Sequence, residues 1–150
     1  MARMDYVDAD AANDRVQELL SKLNHKNIFR MLAHSPSHFE TYVRMGNAIR
    51  FKGELDSGLR ELAITRAGIL CKSDYEVIAH KRIGKGVGLE DAKIDALEEG
   101  AEANAYSDLE KDVLRFTDEV VTTDKVSDEL FERLQGQLTQ GALVELHLAI

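Results

Sequence analysis

A helical period runs through nearly the whole chain and sets the first limit on its fold. Apolar residues recur three and four positions apart, and no segment alternates apolar and polar residues long enough to read as a half-buried strand. The expected fold is all-α, a compact bundle of about seven or eight helices with no sheet. Val16, Leu19, Leu20 and Leu23 mark a first amphipathic helix. Ser35 followed by Pro36, the one proline, reads as an N-cap and a first helical position. Phe39, Tyr42, Val43, Gly46 and Ile49 define one face of the next helix. Asp56 can cap a third helix, with Leu59, Leu62, Ala63, Ile69 and Leu70 inward. Ser73 stands three residues before Glu76, the spacing of a capping box, and opens a helix expected to reach about Val87 and stop at Gly88. A short helix over about Glu90 to Glu99 should end at Gly100. Ser107 and Glu110 repeat the capping-box spacing ahead of Leu109, Val113, Phe116 and Val120. Ser127 can cap a helix carrying Leu130, Leu134 and Leu138, and Thr139 a last one, GALVELHLAI.

A length of 150 residues suits a single domain spanning 1–150, and no repeat or linker divides it. Apolar residues at 44% and charged residues at 31% are an ordinary soluble balance. No apolar run is long enough to span a bilayer, and the acidic N-terminus lacks the apolar stretch of a secretory signal. The one cysteine, Cys71, cannot form an internal disulfide, which fits a reducing cytoplasm. Cys71 itself reads as a small buried hydrophobe. A net charge of −8 argues against nucleic acid as a partner. A small anionic substrate remains compatible, provided that local cations receive it. The final helix is still apolar at Leu148, Ala149 and Ile150, as expected of a truncated end or of a helix completed by another subunit.

Chemistry concentrates between Leu59 and Gly88. Glu76 and His80 are four apart and share a helix face. A carboxylate beside an imidazole is an acid–base pair able to work near neutral pH. Ser73 lies one turn earlier, at the positive end of the same helix. Arg60 and Arg82 could hold a substrate carboxylate in bidentate fashion. Spacing alone favours plainer roles: Glu76 as the third residue of a capping box, His80 as an exposed or satisfied histidine, and Arg82 with Lys81 and Lys85 as a basic last turn. His34, in the LAHSP turn, reads more simply as a turn residue. His25, His38 and His147 lack partners at metal-ligand spacing, and His34 with His38 lacks the rest of a zinc motif, so no metal is expected.

LRELAITRAG followed by YEVIAHKRIGKGVGLEDAKIDALEEG resembles the carboxymuconolactone decarboxylase family of the alkylhydroperoxidase D-like (AhpD-like) superfamily. Arg60-Glu61-Leu62-Ala63 matches the R-E-L-A part of its pattern. Tyr75, Glu76 and His80 match Y-E-W-x-x-H, with Val77 where tryptophan is usual. NIFRMLAHSPSHFETYVRMGNAIR and ALVELHLAI resemble the family's N-terminal helix pair and the start of its C-terminal helix. The resemblance implies a cofactor-free enzyme that decarboxylates a small carboxylated lactone or acts on a related enolisable carbonyl. It implies His80 as the proton donor, oriented by Glu76, with Glu61 as a supporting or relay carboxylate. Arg60, Arg82, Ser73, Tyr75 and His34 are weaker candidates for touching substrate. It also implies a homo-oligomer, a trimer or a hexamer built from trimers. The superfamily's peroxidase branch carries C-x-x-C-x-x-x-H, and its two cysteine positions fall on Ser73 and Glu76, so a thiol antioxidant activity is disfavoured. A binding protein without catalysis on the same fold is the remaining reading.

Overall fold

The structure is a computed structural model that describes residues 2–123 and 125–150. It holds nine α-helices and two 3-10 turns among the described residues, with no strand. The helices are α1 Asp14–Lys22, α2 Asn27–Leu32, α3 Pro36–Phe51, α4 Ser57–Leu70, α5 Asp74–Gly86, α6 Asp91–Asp95, α7 Asp108–Thr123, α8 Asp128–Gln135 and α9 Gln140–Ala149. They form two compact units, Met1–Lys52 and Gly53–Ile150.

In the first unit, Val16, Leu19, Leu20, Ala33 and Phe39 form one apolar cluster. Helix α1 starts where the Asn13 side chain accepts the Val16 N–H at 3.0 Å. It ends in a Schellman turn, with Asn24 at φ 54° and the His25 N–H returning to the Leu20 carbonyl. Helix α2 is an element that periodicity and caps do not predict. It is six residues long and its Lys26 cap makes no side-chain bond, so it carries no start signal. The stripe expected on α3 is buried only at its start. Phe39 is fully buried and Val43 partly, whereas Tyr42 is 52% exposed. Within the unit, α1 and α2 cover only the first turns of that face.

In the second unit α4 is the central helix and packs against α5, α7 and α9. One side of it joins Val113, Phe116, Leu130, Leu134 and Leu146 in a cluster, and Leu62 joins Leu97, Tyr106 and Leu114 in another. Truncating a fully buried leucine of this kind to alanine costs about 2–5 kcal/mol. Capping follows the sequence in several places. Asp56 accepts the Gly58 and Leu59 N–H groups, Thr139 accepts that of Ala142, and Ser107 with Glu110 closes a reciprocal box. The helix expected over Glu90–Glu99 is instead α6 followed by 3-10 turns at Ala96–Glu98 and Gly100–Glu102. Arg66 holds that tighter coil by donating to the Leu97 and Glu98 carbonyls while its other nitrogens clasp Asp118.

Helices α4 and α5 form a tight antiparallel hairpin. The Lys72 N–H returns to the Ile69 carbonyl at 3.0 Å and the Ser73 N–H to the Gly68 carbonyl at 2.8 Å. This is a Schellman turn with lysine in the left-handed position, at φ 56°. Gly68 then lets the two helices approach near the turn, and Gly84 makes room for Leu89. A Cβ on Gly68 would sit 3.3 Å from both the Glu76 Cβ and a Val77 methyl, and one on Gly84 would sit 3.0 Å from Leu89 and 3.7 Å from the Glu61 Cβ.

Candidate active site

The close crossing of α4 and α5 sets Glu61 against His80. Glu61 is fully buried, and its Oε2 accepts a hydrogen bond from His80 Nδ1 at 2.7 Å. Its Oε1 accepts from Arg60 Nε at 3.0 Å. Burial alone would push the Glu61 acid upward, but the His80 hydrogen bond, reinforced by Arg60, outweighs it and holds the carboxyl below the ordinary range. An ionised carboxylate can only accept, so the proton of a neutral His80 sits on Nδ1. Nε2 is then the nitrogen left to exchange protons. It lies 3.4 Å from Glu76 Oε2, at the open side of the pair: the Glu76 side chain is 37% exposed and that of His80 14%. Thr65 donates back to the Glu61 carbonyl at 2.7 Å, one turn further along α4.

The two carboxylates therefore stand on opposite edges of one imidazole. Glu61, a supporting or relay carboxylate by the resemblance, makes the short bond that fixes the ring. Glu76, read as the orienting partner, stands further off at the other nitrogen. The capping box expected at Ser73 and Glu76 does not form, because the Ser73 N–H is already taken by Gly68 and no side-chain cap is made.

The family profile described as "Carboxymuconolactone decarboxylase family" matches residues 36–119. The chain belongs to this family. Two solved structures share its all-α, AhpD-like fold. One is the alkylhydroperoxidase AhpD core of an uncharacterized peroxidase-related protein from Ralstonia eutropha JMP134, at 21% identity and a TM-score of 0.83, covering 98% of this chain and 82% of the other. The second is a protein of unknown function from Agrobacterium tumefaciens, described as a candidate antioxidant defence protein AhpD, at 19% identity and a TM-score of 0.67, covering 77% and 80%. At these identities the likeness establishes the fold and not the chemistry. No curated protein matches the chain.

Within this carboxymuconolactone decarboxylase domain, the R-E-L-A segment supplies Arg60 and Glu61 from α4, and the Y-E-x-x-x-H segment supplies Glu76 and His80 from α5. The remaining candidates are not gathered with them. Tyr75 is 49% exposed and Arg82 is exposed, on the outward face of α5 that also carries Ile78. Ser73 acts through its backbone in the hairpin turn. His34 is exposed in the first unit, with its Nε2 2.8 Å from the Asp5 carbonyl oxygen. Cys71 is not the buried hydrophobe expected of it: it is exposed, because it is the C-cap residue of α4. Spacing does not single out Gly68, whose missing side chain lets α5 come up against α4 at Glu76 and Val77, or Gly84, whose missing side chain makes room for Leu89. Their positions opposite the turn and one turn past His80 are the signal available in hindsight.

Proposed function

We propose that this protein is a cofactor-free acid–base enzyme of the carboxymuconolactone decarboxylase type, acting on a small carboxylated lactone or a related enolisable carbonyl. The observation that carries this reading is the 2.7 Å bond between a buried, ionised Glu61 and His80 Nδ1. Such a bond fixes the ring and leaves Nε2 as the working atom, the division of labour that general acid–base catalysis by histidine requires. In a decarboxylation, the bond to the departing carboxylate breaks, CO₂ leaves, and its electron pair passes into an extended enolate. The His80 imidazolium then delivers its Nε2 proton to carbon and becomes the neutral Nδ1–H tautomer, which Glu61 stabilises. Glu76, beside Nε2 and open to solvent, returns the proton.

The reading needs neither metal nor cofactor. The alternative, thiol peroxidation, needs a thiolate and a resolving partner. Cys71 is the one cysteine of the chain, and the positions of the peroxidase motif hold Ser73 and Glu76. We also expect a homo-oligomer, a trimer or hexamer; Val144 and Leu148 support this, being 60% and 48% exposed on the apolar helix α9.

The test is CO₂ release from γ-carboxymuconolactone and related lactones by wild type and His80→Gln. The variant should lose about 10²–10⁴-fold in kcat with unchanged circular dichroism. Turnover of a substrate at the wild-type rate by His80→Gln would remove the proposal.

A further inference from the structure

Two arginines on α4 are largely buried, and they differ in how their nitrogens are used. Arg66 is the structural kind. Its Nε and Nη2 clasp Asp118 at 2.6 and 3.1 Å, and its Nη1 donates to two carbonyls of the 3-10 coil. Arg60 is the more buried of the two, with a side chain 8% exposed against 12% for Arg66. Yet it makes one bond, from Nε to Glu61 Oε1, and neither Nη has a hydrogen-bond partner among the described residues. Every side-chain nitrogen or oxygen sealed from solvent among those residues does have a partner. The two Nη groups therefore open to the surface, with up to four N–H donors unused on a guanidinium that is always charged. Such a fork can receive an anion through paired, charge-assisted hydrogen bonds.

The neighbour of that fork is the acid–base pair itself. One oxygen of Glu61 holds Arg60 and the other holds His80, so a single carboxylate ties the open guanidinium edge to the imidazole. We infer that Arg60 is the specificity-determining residue of this site: its Nη edge takes a carboxylate of the substrate while its Nε keeps Glu61 in place. Arg60 is thus a local cation at the pair, in a chain whose net charge of −8 would otherwise repel an anion. The inference rests on the acid–base reading for the chemistry after binding, but not for the binding itself.

Succinate is the probe, and succinamide its uncharged counterpart. Each is titrated into ¹⁵N-labelled full-length protein at constant ionic strength while the Arg60 side-chain N–H signals, assigned with Arg60→Lys, are followed. Succinate should shift these signals saturably and succinamide should not. Arg60→Lys keeps the charge beside Glu61 but loses the planar fork, and should bind succinate about 10–100-fold more weakly. Arg60 signals that do not respond to succinate, or a folded Arg60→Lys that binds it like wild type, would overturn the inference and leave Arg60 a counter-ion of Glu61. If Arg60→Lys fails to fold, Arg60→Gln supplies the assignment and the wild-type titration decides. Because binding is read without turnover, inactivity toward every lactone would count against proton transfer alone. Lactone turnover without the Arg60 response would count against the anchor alone.

Discussion

Two segments of this protein carry the same local signal, a serine three residues before a glutamate at the start of a helix, and the molecule uses them in opposite ways. At Ser107 and Glu110 the box closes. The Ser107 N–H and hydroxyl both donate to Glu110 Oε2, at 2.8 and 2.9 Å, and Lys93 donates to the other oxygen at 2.6 Å. At Ser73 and Glu76 it stays open, because the preceding helix has already claimed the Ser73 N–H. The glutamate released from capping is the one that stands beside His80 Nε2. The glutamate half of a capping box needs a serine N–H that the turn before it has left free.

The contrast can be broken most forcefully at Glu110. Glu110→Ala removes the box and the partner of Lys93, and should cost about 1–3 kcal/mol, read as a lower midpoint in denaturant. Burial pushes the Glu110 carboxyl up, but Lys93 and Ser107 outweigh that and hold it below the ordinary value of 4.5. A carboxyl held low in the folded state adds stability that is fully present above its unfolded pKa and is lost as pH falls through the folded one. Thermal melts of wild type should therefore fall in the acid range below about 4.5, and Glu110→Ala should flatten part of that limb. An unchanged acid limb would separate Glu110 from this role.

The hairpin turn that keeps the other box open can be sharpened. Lysine at φ 56° occupies a position that glycine fills without a Cβ penalty. Lys72→Gly should raise stability by about 0.5–1 kcal/mol, measured by denaturant unfolding, and leave turnover as it was. A loss of stability would mean that the lysine side chain holds the turn.

The smallest expected change is the stability effect of Glu76→Gln. With no cap to lose, this variant should keep its unfolding midpoint within a few tenths of a kcal/mol, as surface substitutions do, while turnover falls. A stability loss of about 1 kcal/mol would instead be the mark of a capping role in solution.

These outcomes also mark how far the sequence reaches. Helix period and caps are local, so α4, α5, α7 and α9 are legible with their starts at Asp56, Ser73, Ser107 and Thr139. That Glu76 and His80 share a face is legible by spacing, but their role, like that of Glu61, only by resemblance. The order of the two carboxylates is not. It depends on how closely α4 and α5 approach, where Gly68 meets Glu76 and Val77 across the hairpin. The open box stays hidden because the residue in the left-handed turn is lysine, which gives no sign of a Schellman cap. Local pattern turns Cys71 and Tyr42 inward, but the period of a helix does not say where its partners end.

The three-residue link Cys71–Ser73 has a further consequence, for which changes in length this protein can survive. Each residue of an α-helix turns it by about 100°. One residue added or removed between Gly68 and Glu76 would rotate α5 out of phase with α4, carrying His80 away from Glu61 and bringing Ala79 (on insertion) or Lys81 (on removal) round in its place. The hairpin therefore acts as an index: a single insertion in the link would dismantle the site without unfolding either helix.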